Sequence, residues 1–328
     1  MTKPRVAVVG LGPIGLETAK KVAVDGELQL SALVDLDPAK FDKTLPQLSP
    51  GAPDSVSVLA DLDDIGDIDL AILCTGSHFD RIAPTLRQCL RKKAHVVSSC
   101  EEMAWPWLRH PHLADVLSGE AIAAGVAMVG TGVNPGFVMD LLPVVLSSMT
   151  MGIKRVRVTR VVDASTRRLP LQRKVGATMT QEHFRKLAGA NLIGHMGMGE
   201  SVTLLAQGLG RHPMQKEVHT AIAPVVAEHD MACDLGPIAA GQVRGMYNTG
   251  RWQGGGIEIE LELTMAVGEK NPRDEIQITA DRDLHMVIPG GTPGDTATVA
   301  ALVNVARVLP RVKPGMRTML DLPPAGTR

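Results

Sequence analysis

Two adjacent carboxylates, Glu101 and Glu102, directly follow the run His95-Val-Val-Ser-Ser-Cys100, and three glycines, Gly10, Gly12 and Gly15, directly follow the apolar run Val6-Ala-Val-Val9. The carboxylate pair offers general acid and base chemistry. The glycines offer a phosphate cradle. In the order G-x-G-x-x-G, Gly10 permits a tight turn, Gly12 lets backbone amides approach a pyrophosphate, and Gly15 lets the next helix pack closely on the strand. Pro13 and Ile14 complete that turn, and the helix they open points its N-terminus at the phosphates. About twenty residues further on, Asp35 closes a second apolar run. A carboxylate there accepts hydrogen bonds from ribose hydroxyls and repels a 2′-phosphate, and Leu36 after it offers no guanidinium to hold one. The expected cofactor is therefore NAD, with NADP left open because Lys40 or Lys43 is within reach of a phosphate.

The elements that must position these groups alternate. After strand, helix and strand, a loop rich in proline and serine leads to a short third strand. Leu70 to Cys74 is a buried strand, and a helix follows from about Asp80 to Lys92. His95 onward is another strand, a helix covers roughly Leu113 to Ala124, and Ala127 to Gly130 is again a strand. Strand alternating with helix predicts a parallel, doubly wound Rossmann sheet. Ligands sit beyond the carboxyl ends of such strands, so Thr75, Gly76, Ser77 and His78, together with Ser99 and Cys100, are expected to line the cofactor crevice. His78 is equally consistent with a surface loop. Glu101 and Glu102 leave the same edge, where chemistry is done in this architecture, although acids after a strand can also simply suit the start of the next helix. The loop Thr131-Gly-Val-Asn-Pro-Gly-Phe137 leaves that edge too, and a helix from Val138 to Ser148 is expected to lead away from it.

From Ile153 the pattern moves towards period two, clearest where Ile257, Ile259, Leu261 and Leu263 alternate with Glu258, Glu260 and Glu262. This predicts an α+β second domain whose antiparallel sheet has one solvated face. Arg160 breaks the alternation of its own strand. With Arg167, Arg168, Arg173 and Lys174 it either grips an anionic substrate or belongs to a solvated loop. Near the end, Asp295 is a plausible N-cap for a helix from Thr296 to Leu309, whose Val299, Leu302, Val303 and Ala306 make an apolar stripe that docks back on the first domain. The expected division is 1–140, completed by 295–328, for dinucleotide binding, and 141–294 for substrate binding and dimerisation.

With 328 residues and 45% hydrophobic content there is material for two cores. A net charge of -1 and 2% aromatic residues leave no polyanion-binding or base-stacking signature, so nucleic acid is not an expected partner. Apolar runs are broken well short of the roughly 20 residues of a membrane helix. Val6 to Val9 runs into the glycine turn rather than a cleavage site, and the expected address is cytoplasmic. Cys74, Cys89, Cys100 and Cys233 have no C-x-x-C spacing and read as reduced thiols. The histidines lack ligand spacing, so no metal is expected. His110 and His112, either side of a proline, read as solvated surface. The plentiful methionines fill the gaps that rings would otherwise fill.

Gly130 to Asp140, Gly194-His195 with Glu200-Ser201, and Gly294-Asp-Thr-Ala-Thr298 through Asn304 to Pro323 resemble the 2,4-diaminopentanoate dehydrogenase and native amine dehydrogenase family, of dihydrodipicolinate-reductase-like architecture. The resemblance spans nearly the whole chain, with its motifs in order. It implies reversible reductive amination, in which a ketone or aldehyde and ammonia give an iminium that accepts hydride from a nicotinamide cofactor. It places an essential carboxylate in Ser-Ser-Cys-Glu-Glu, so Glu101 and Glu102 are both candidates, Glu101 slightly ahead as the first after the strand. It also places Asn134, Phe137, His195, Thr296 and Thr298 at the substrate. A fixed anion beside an iminium suits that chemistry. Relatives that reduce homoserine precursors or oxidise sugars carry a lysine near this strand end, where Cys100, Glu101 and Glu102 stand instead. Two other readings remain: an ammonia-independent cyclic imine reductase, and a dinucleotide-binding sensor without turnover. By analogy of fold the chain is expected to be a homodimer.

Overall fold

The computed structural model describes residues 2–326 apart from 54, 166, 191 and 324. The chain divides into two compact units, Met1–Phe137 with Pro293–Arg328, and Val138–Thr292. In the first unit the short aliphatic runs become β1 (Arg5–Val9), β2 (Gln29–Val34), β3 (Val58–Leu59), β4 (Leu70–Leu73), β5 (His95–Ser98) and β6 (Ala127–Gly130). Between them lie α1 (Pro13–Ala23), α2 (Leu45–Leu48), α3 (Phe79–Arg91) and α4 (Pro111–Ala124). β4 and β6 are buried at every position, as strands covered on both faces must be. α3 buries Phe79, Ile82, Ala83, Leu86 and Leu90, a stripe at helical spacing that packs into the main core. α1 opens on a proline, whose missing amide costs a first turn nothing, and closes on Lys20 and Lys21, which suit its negative end.

The second unit contains α5 (Leu141–Ser147), β7 (Arg155–Asp163), α6 (Leu169–Lys174), α7 (Gln181–Gly189), α8 (Met198–Gly208), β8 (His219–Val226), β9 (Met231–Cys233), β10 (Gly236–Ile238), β11 (Val243–Gly254), β12 (Ile257–Ala266), β13 (Arg273–Thr279) and β14 (Leu284–Pro289). α5 starts at Leu141 rather than Val138 because Asp140 caps it, its carboxylate accepting from the Leu141 amide at 2.7 Å. The main sheet runs β14-β13-β7-β12-β11-β8. It is mixed, not antiparallel: β7 and β12, at its centre, pair parallel. Period two reports which face a side chain takes and is silent on strand direction. Nor is the charged face simply solvated. Glu260 is only 7% exposed, because Arg155 and Arg251 each close on it at 2.7 Å. Glu262 accepts from Arg157 and Tyr247, both at 2.8 Å. Burial, and then Glu262, push the Tyr247 phenol up to about 12.

Arg160 lies on the buried face of β7, directly opposite Asp274 of β13, and not in a basic loop. Its ion pair with Asp274 is 3.1 Å long. The residues Leu169–Lys174 likewise form helix α6 rather than a loop.

The first unit is completed by α9 (Gly294–Val308) and β15 (Gly315–Arg317). α9 packs on α1 and on β4 and β5 through Val299, Leu302, Val303 and Ala306. Pro293, not Asp295, occupies its N-cap. Asp295 lies in the first turn, where its charge still favours the helix's positive end. Near the other end Arg307 pairs with Asp25 behind α1. β15 adds to β6, giving a seven-stranded sheet in the order β15-β6-β5-β4-β1-β2-β3 with every pair parallel.

Candidate active site

The strand order reverses between β1 and β4, so the ligand crevice of the first unit opens beyond the carboxyl ends of those two strands. Gly10 has φ +85° there, and a Cβ on it would lie 2.7 Å from the Cys74 carbonyl oxygen. A Cβ on Gly15 would lie 1.8 Å from the Gly10 carbonyl oxygen. Gly12 is different. Nothing of the protein lies within 4 Å of the position its Cβ would take, and α1 begins immediately after it. Two glycines are thus demanded by the protein's own backbone, and the third leaves open space at a helix N-terminus, which fits a pyrophosphate. Gly15→Ala is expected to cost at least about 3 kcal/mol in urea unfolding. Gly12→Ala is expected to unfold like the wild type yet bind NADH at least tenfold more weakly by fluorescence titration.

Asp35 lies across the same turn. Its Oδ2 accepts from the Leu11 amide at 2.6 Å and from Lys40 Nζ at 2.9 Å, and its Oδ1 accepts from the Asp37 amide at 2.8 Å. Burial pulls this carboxyl upward, but Lys40 and the two amides outweigh it and hold Asp35 below the ordinary aspartate value.

On the other side of the switch point, Thr75 and Gly76 are exposed and Ser77 and His78 half-buried, between β4 and α3. This loop is tied to the carboxylate pair by Glu102. The pair sits in a single tight turn, Glu101–Ala104, after β5. Glu102 is 4% exposed. Its Oε2 accepts from the Phe79 amide at 2.8 Å, the first amide of α3, and its Oε1 lies 3.1 Å from His78 Nδ1. His110 Nε2 lies 3.4 Å and Arg109 Nε 3.7 Å from the same carboxylate. Its own amide donates to the Ser77 carbonyl at 3.3 Å. Glu101 is half-buried at the head of the turn. Ser99 is half-buried at the strand end, whereas Cys100 is 1% exposed and packs in the core, its amide donating to Ser98 Oγ at 3.1 Å and its carbonyl accepting from the Met103 amide at 3.0 Å, so its side chain does not line the crevice. Burial pushes the Cys74 thiol up to about 12, and all four cysteines are free.

His110 is therefore not solvated surface. It sits in the N-cap position of α4 and faces Glu102. Asp80, Glu102 and His110 bring ligand atoms within 4.8 Å of one another, the one such group among the described residues. A helix amide and Arg109 aim at its central carboxylate, an arrangement that favours an anion over a cation.

β6 and the loop after it press on the Glu101 turn. A Cβ on Gly130 would lie 2.4 Å from the Met103 carbonyl carbon, so glycine is what lets the turn seat against the strand. Thr131 donates its amide to Ser98, and the Val133 amide donates to Thr298 Oγ1 at 3.3 Å, so the loop and α9 are joined. Asn134 is buried within this loop, Phe137 is 44% exposed at its end, and Thr296 is exposed on the first turn of α9. The first unit thus gathers Glu101, Asn134, Phe137, Thr296 and Thr298 on the elements that leave one sheet edge or cover it.

His195 belongs to the second unit. Asn248 of β11 donates to its carbonyl at 3.0 Å, and Gly194 before it adopts φ +119° with Ile222 packed where a side chain would stand. Two of the separate motifs meet in this unit: Ser201 Oγ of α8 donates to the Asp140 carboxylate at 2.7 Å. α8 is buried along nearly its whole length, Glu200 included.

A glycine turn at a topological switch point, an acid across the same turn and a carboxylate turn at the end of the neighbouring strand fit a nicotinamide-dinucleotide dehydrogenase. A sequence profile of the 2,4-diaminopentanoate dehydrogenase C-terminal domain matches residues 137–327, more than half of the chain. The 2,4-diaminopentanoate dehydrogenase of Acetoanaerobium sticklandii is 27% identical over 98% of this chain and 94% of its own length. In fold, an amine dehydrogenase from Mycobacterium smegmatis superposes with a TM-score of 0.87, at 23% identity, over 100% of this chain and 98% of that one. The DAP dehydrogenase of C. glutamicum superposes with 0.53, at 16% identity, over 99% and 95%. The chain belongs to the 2,4-diaminopentanoate dehydrogenase family.

Proposed function

We propose that this chain, an NAD(P)-dependent oxidoreductase acting on CH-NH2 groups, catalyses the reversible reductive amination of a small aliphatic ketone or aldehyde, with Glu101 as the proton-transferring carboxylate. The observation that carries the residue assignment is that Glu102 is 4% exposed and committed to the α3 amide, His78, His110 and Arg109, so that it braces the turn, whereas Glu101, at the head of the same turn just beyond the end of β5, is only half-buried. Glu101 takes a proton from ammonium, releasing ammonia to attack the carbonyl carbon. It returns that proton to the carbinolamine hydroxyl, which departs as water and leaves an iminium. Ketone and ammonium thus become iminium and water with the carboxylate regenerated. A bound nicotinamide supplies the hydride that completes the amine. A fixed anion favours the positively charged iminium carbon.

Asn134, Phe137, Thr296 and Thr298 are assigned to the substrate. Asp35 favours NAD. The second unit serves substrate recognition and forms a homodimer through the charged face of its sheet, so light scattering should give twice the chain mass. No helix among the described residues is long and apolar enough to cross a membrane. 2,4-Diaminopentanoate is the first amine to test.

The test is NADH and NADPH oxidation with a panel of small ketones and aldehydes at alkaline pH, with and without ammonia. Oxidation is expected only with both ammonia and a carbonyl compound. Equal rates without ammonia would point to a cyclic imine reductase. Cofactor binding with no turnover on the panel or on diamino acids would leave only a dinucleotide sensor.

A further inference from the structure

We propose that the Thr131 hydroxyl orients the cofactor by hydrogen bonding to the carboxamide of its nicotinamide; this rests on the proposed dinucleotide-dependent function. Thr131 directly follows β6 and is 3% exposed. Its amide donates to the Ser98 carbonyl at 2.8 Å, which extends the pairing of β5 and β6 one step beyond Gly130. Its Oγ1 is different. That atom is buried and has no hydrogen-bond partner among the described residues. An unpaired buried hydroxyl is a cost to the fold, and it calls for a partner that the chain itself does not supply.

Alternation along the strand decides which ligand this is. Successive residues of a strand face opposite sides of the sheet. Gly130 faces the carboxylate turn, where a Cβ on it would lie 2.6 Å from the Ala104 amide nitrogen, and Met128 on the same side packs with residues of α3 and α4. Thr131, one step further in the same ladder, faces the side that α9 covers at β4 and β5, and α9 packs there on α1. On this side Gly12 leaves open space at the N-terminus of α1. The hydroxyl therefore shares a side with the phosphate turn and not with Glu101, so it serves the cofactor rather than the carbonyl compound. β5 and β6 lie on the β4 side of the switch point, whereas Asp35 follows β2 on the other side, so the end of the cofactor remote from Asp35 is the one that comes to Thr131. That end carries a carboxamide, which offers an NH2 donor and a carbonyl acceptor. A threonine hydroxyl can match either.

The experiment is isothermal titration calorimetry of the full chain with NADH and with ADP-ribose, which lacks the nicotinamide, together with urea unfolding in the absence of either, on wild type, Thr131→Val and Thr131→Ser. Valine keeps the shape of threonine and removes only the hydroxyl. In Thr131→Val the ratio of NADH affinity to ADP-ribose affinity is expected to fall about tenfold, and by no less than threefold, while the urea midpoint stays level or rises because an unpaired group has been removed. Thr131→Ser should restore the ratio. A ratio that falls less than threefold in Thr131→Val overturns the inference, whether NADH and ADP-ribose binding both hold, which would leave the hydroxyl to the substrate, or both weaken together, which would place the contact on the ribose. A Thr131→Val chain that unfolds at clearly lower urea overturns it too, since the hydroxyl would then have a partner within the fold. If the wild type binds neither ligand, the proposed function falls and the inference falls with it; if the wild type binds both and Thr131→Val matches it, the inference falls alone.

Discussion

Glu101→Gln is expected to lower ammonia-dependent turnover by about 10²- to 10⁴-fold, the usual contribution of a positioned acid-base group, while the Kd for NADH stays within about threefold. The amide keeps the shape of the side chain but loses both its negative charge and its ability to carry a proton, so the loss is expected in the chemical step rather than in cofactor binding. Glu102→Gln should behave in the opposite way. An amide offers one oxygen and one NH2 where the carboxylate offers two acceptor oxygens. It can keep the Phe79 amide bond, but its NH2 then meets the Arg109 guanidinium, a donor, and is matched at His78 only if the imidazole presents Nδ1 as an acceptor. That should cost about 1–3 kcal/mol of stability and loosen the loop 75–78 against the turn Glu101–Ala104, weakening NADH binding while turnover at saturating cofactor survives. Steady-state kinetics, fluorescence titration of NADH and urea unfolding on the two variants separate the cases. A Glu102→Gln enzyme that folds and binds NADH normally yet does not turn over would reverse the assignment.

The contrast between these neighbours shows where sequence reading stops. The shared turn of Gly10, Gly12, Gly15 and Asp35 was legible because it lies in local spacing, and the alternation of strands and helices placed the pair Glu101-Glu102 just beyond the end of a parallel strand. The different surroundings of the two acids were not legible. What commits Glu102 is the Phe79 amide, 23 residues back, and His110, which sequence read as solvent-facing because a proline beside it looked like a loop. Lys40 was visible as a nearby cation, but not its bond to Asp35, which alters what Asp35 can accept. In the second unit, Ile257 to Leu263 announced a strand with one apolar face. No local pattern could tell that its neighbour β7, about a hundred residues earlier, runs parallel to it.

Arg160 marks the same limit and carries the second large effect. Read as an interruption of alternation, it is a charge placed deliberately on the apolar face: 4% exposed, opposite Asp274, itself 1% exposed. Its Nη1 lies 3.1 Å from Asp274 Oδ1, and its Nη2 donates to the Thr292 carbonyl at 2.7 Å, while Asp274 Oδ2 accepts from the Thr292 amide at 2.7 Å. The pair thereby clamps both backbone groups of the last residue of the second unit. Burial, opposed by Asp274, pulls the guanidinium below its ordinary value. Desolvating two charges offsets most of what they gain from each other, so the pair itself contributes little, but breaking it strands one charge. Asp274→Ala is therefore expected to lose about 3–5 kcal/mol in urea unfolding, because Arg160 is left buried without its counter-ion and Thr292 without its acceptor. The double change Arg160→Met with Asp274→Leu removes both charges and fills the space, and should recover more than half of that loss. A double variant no more stable than Asp274→Ala would mean that the clamp on Thr292, rather than the stranded charge, holds this end of the sheet.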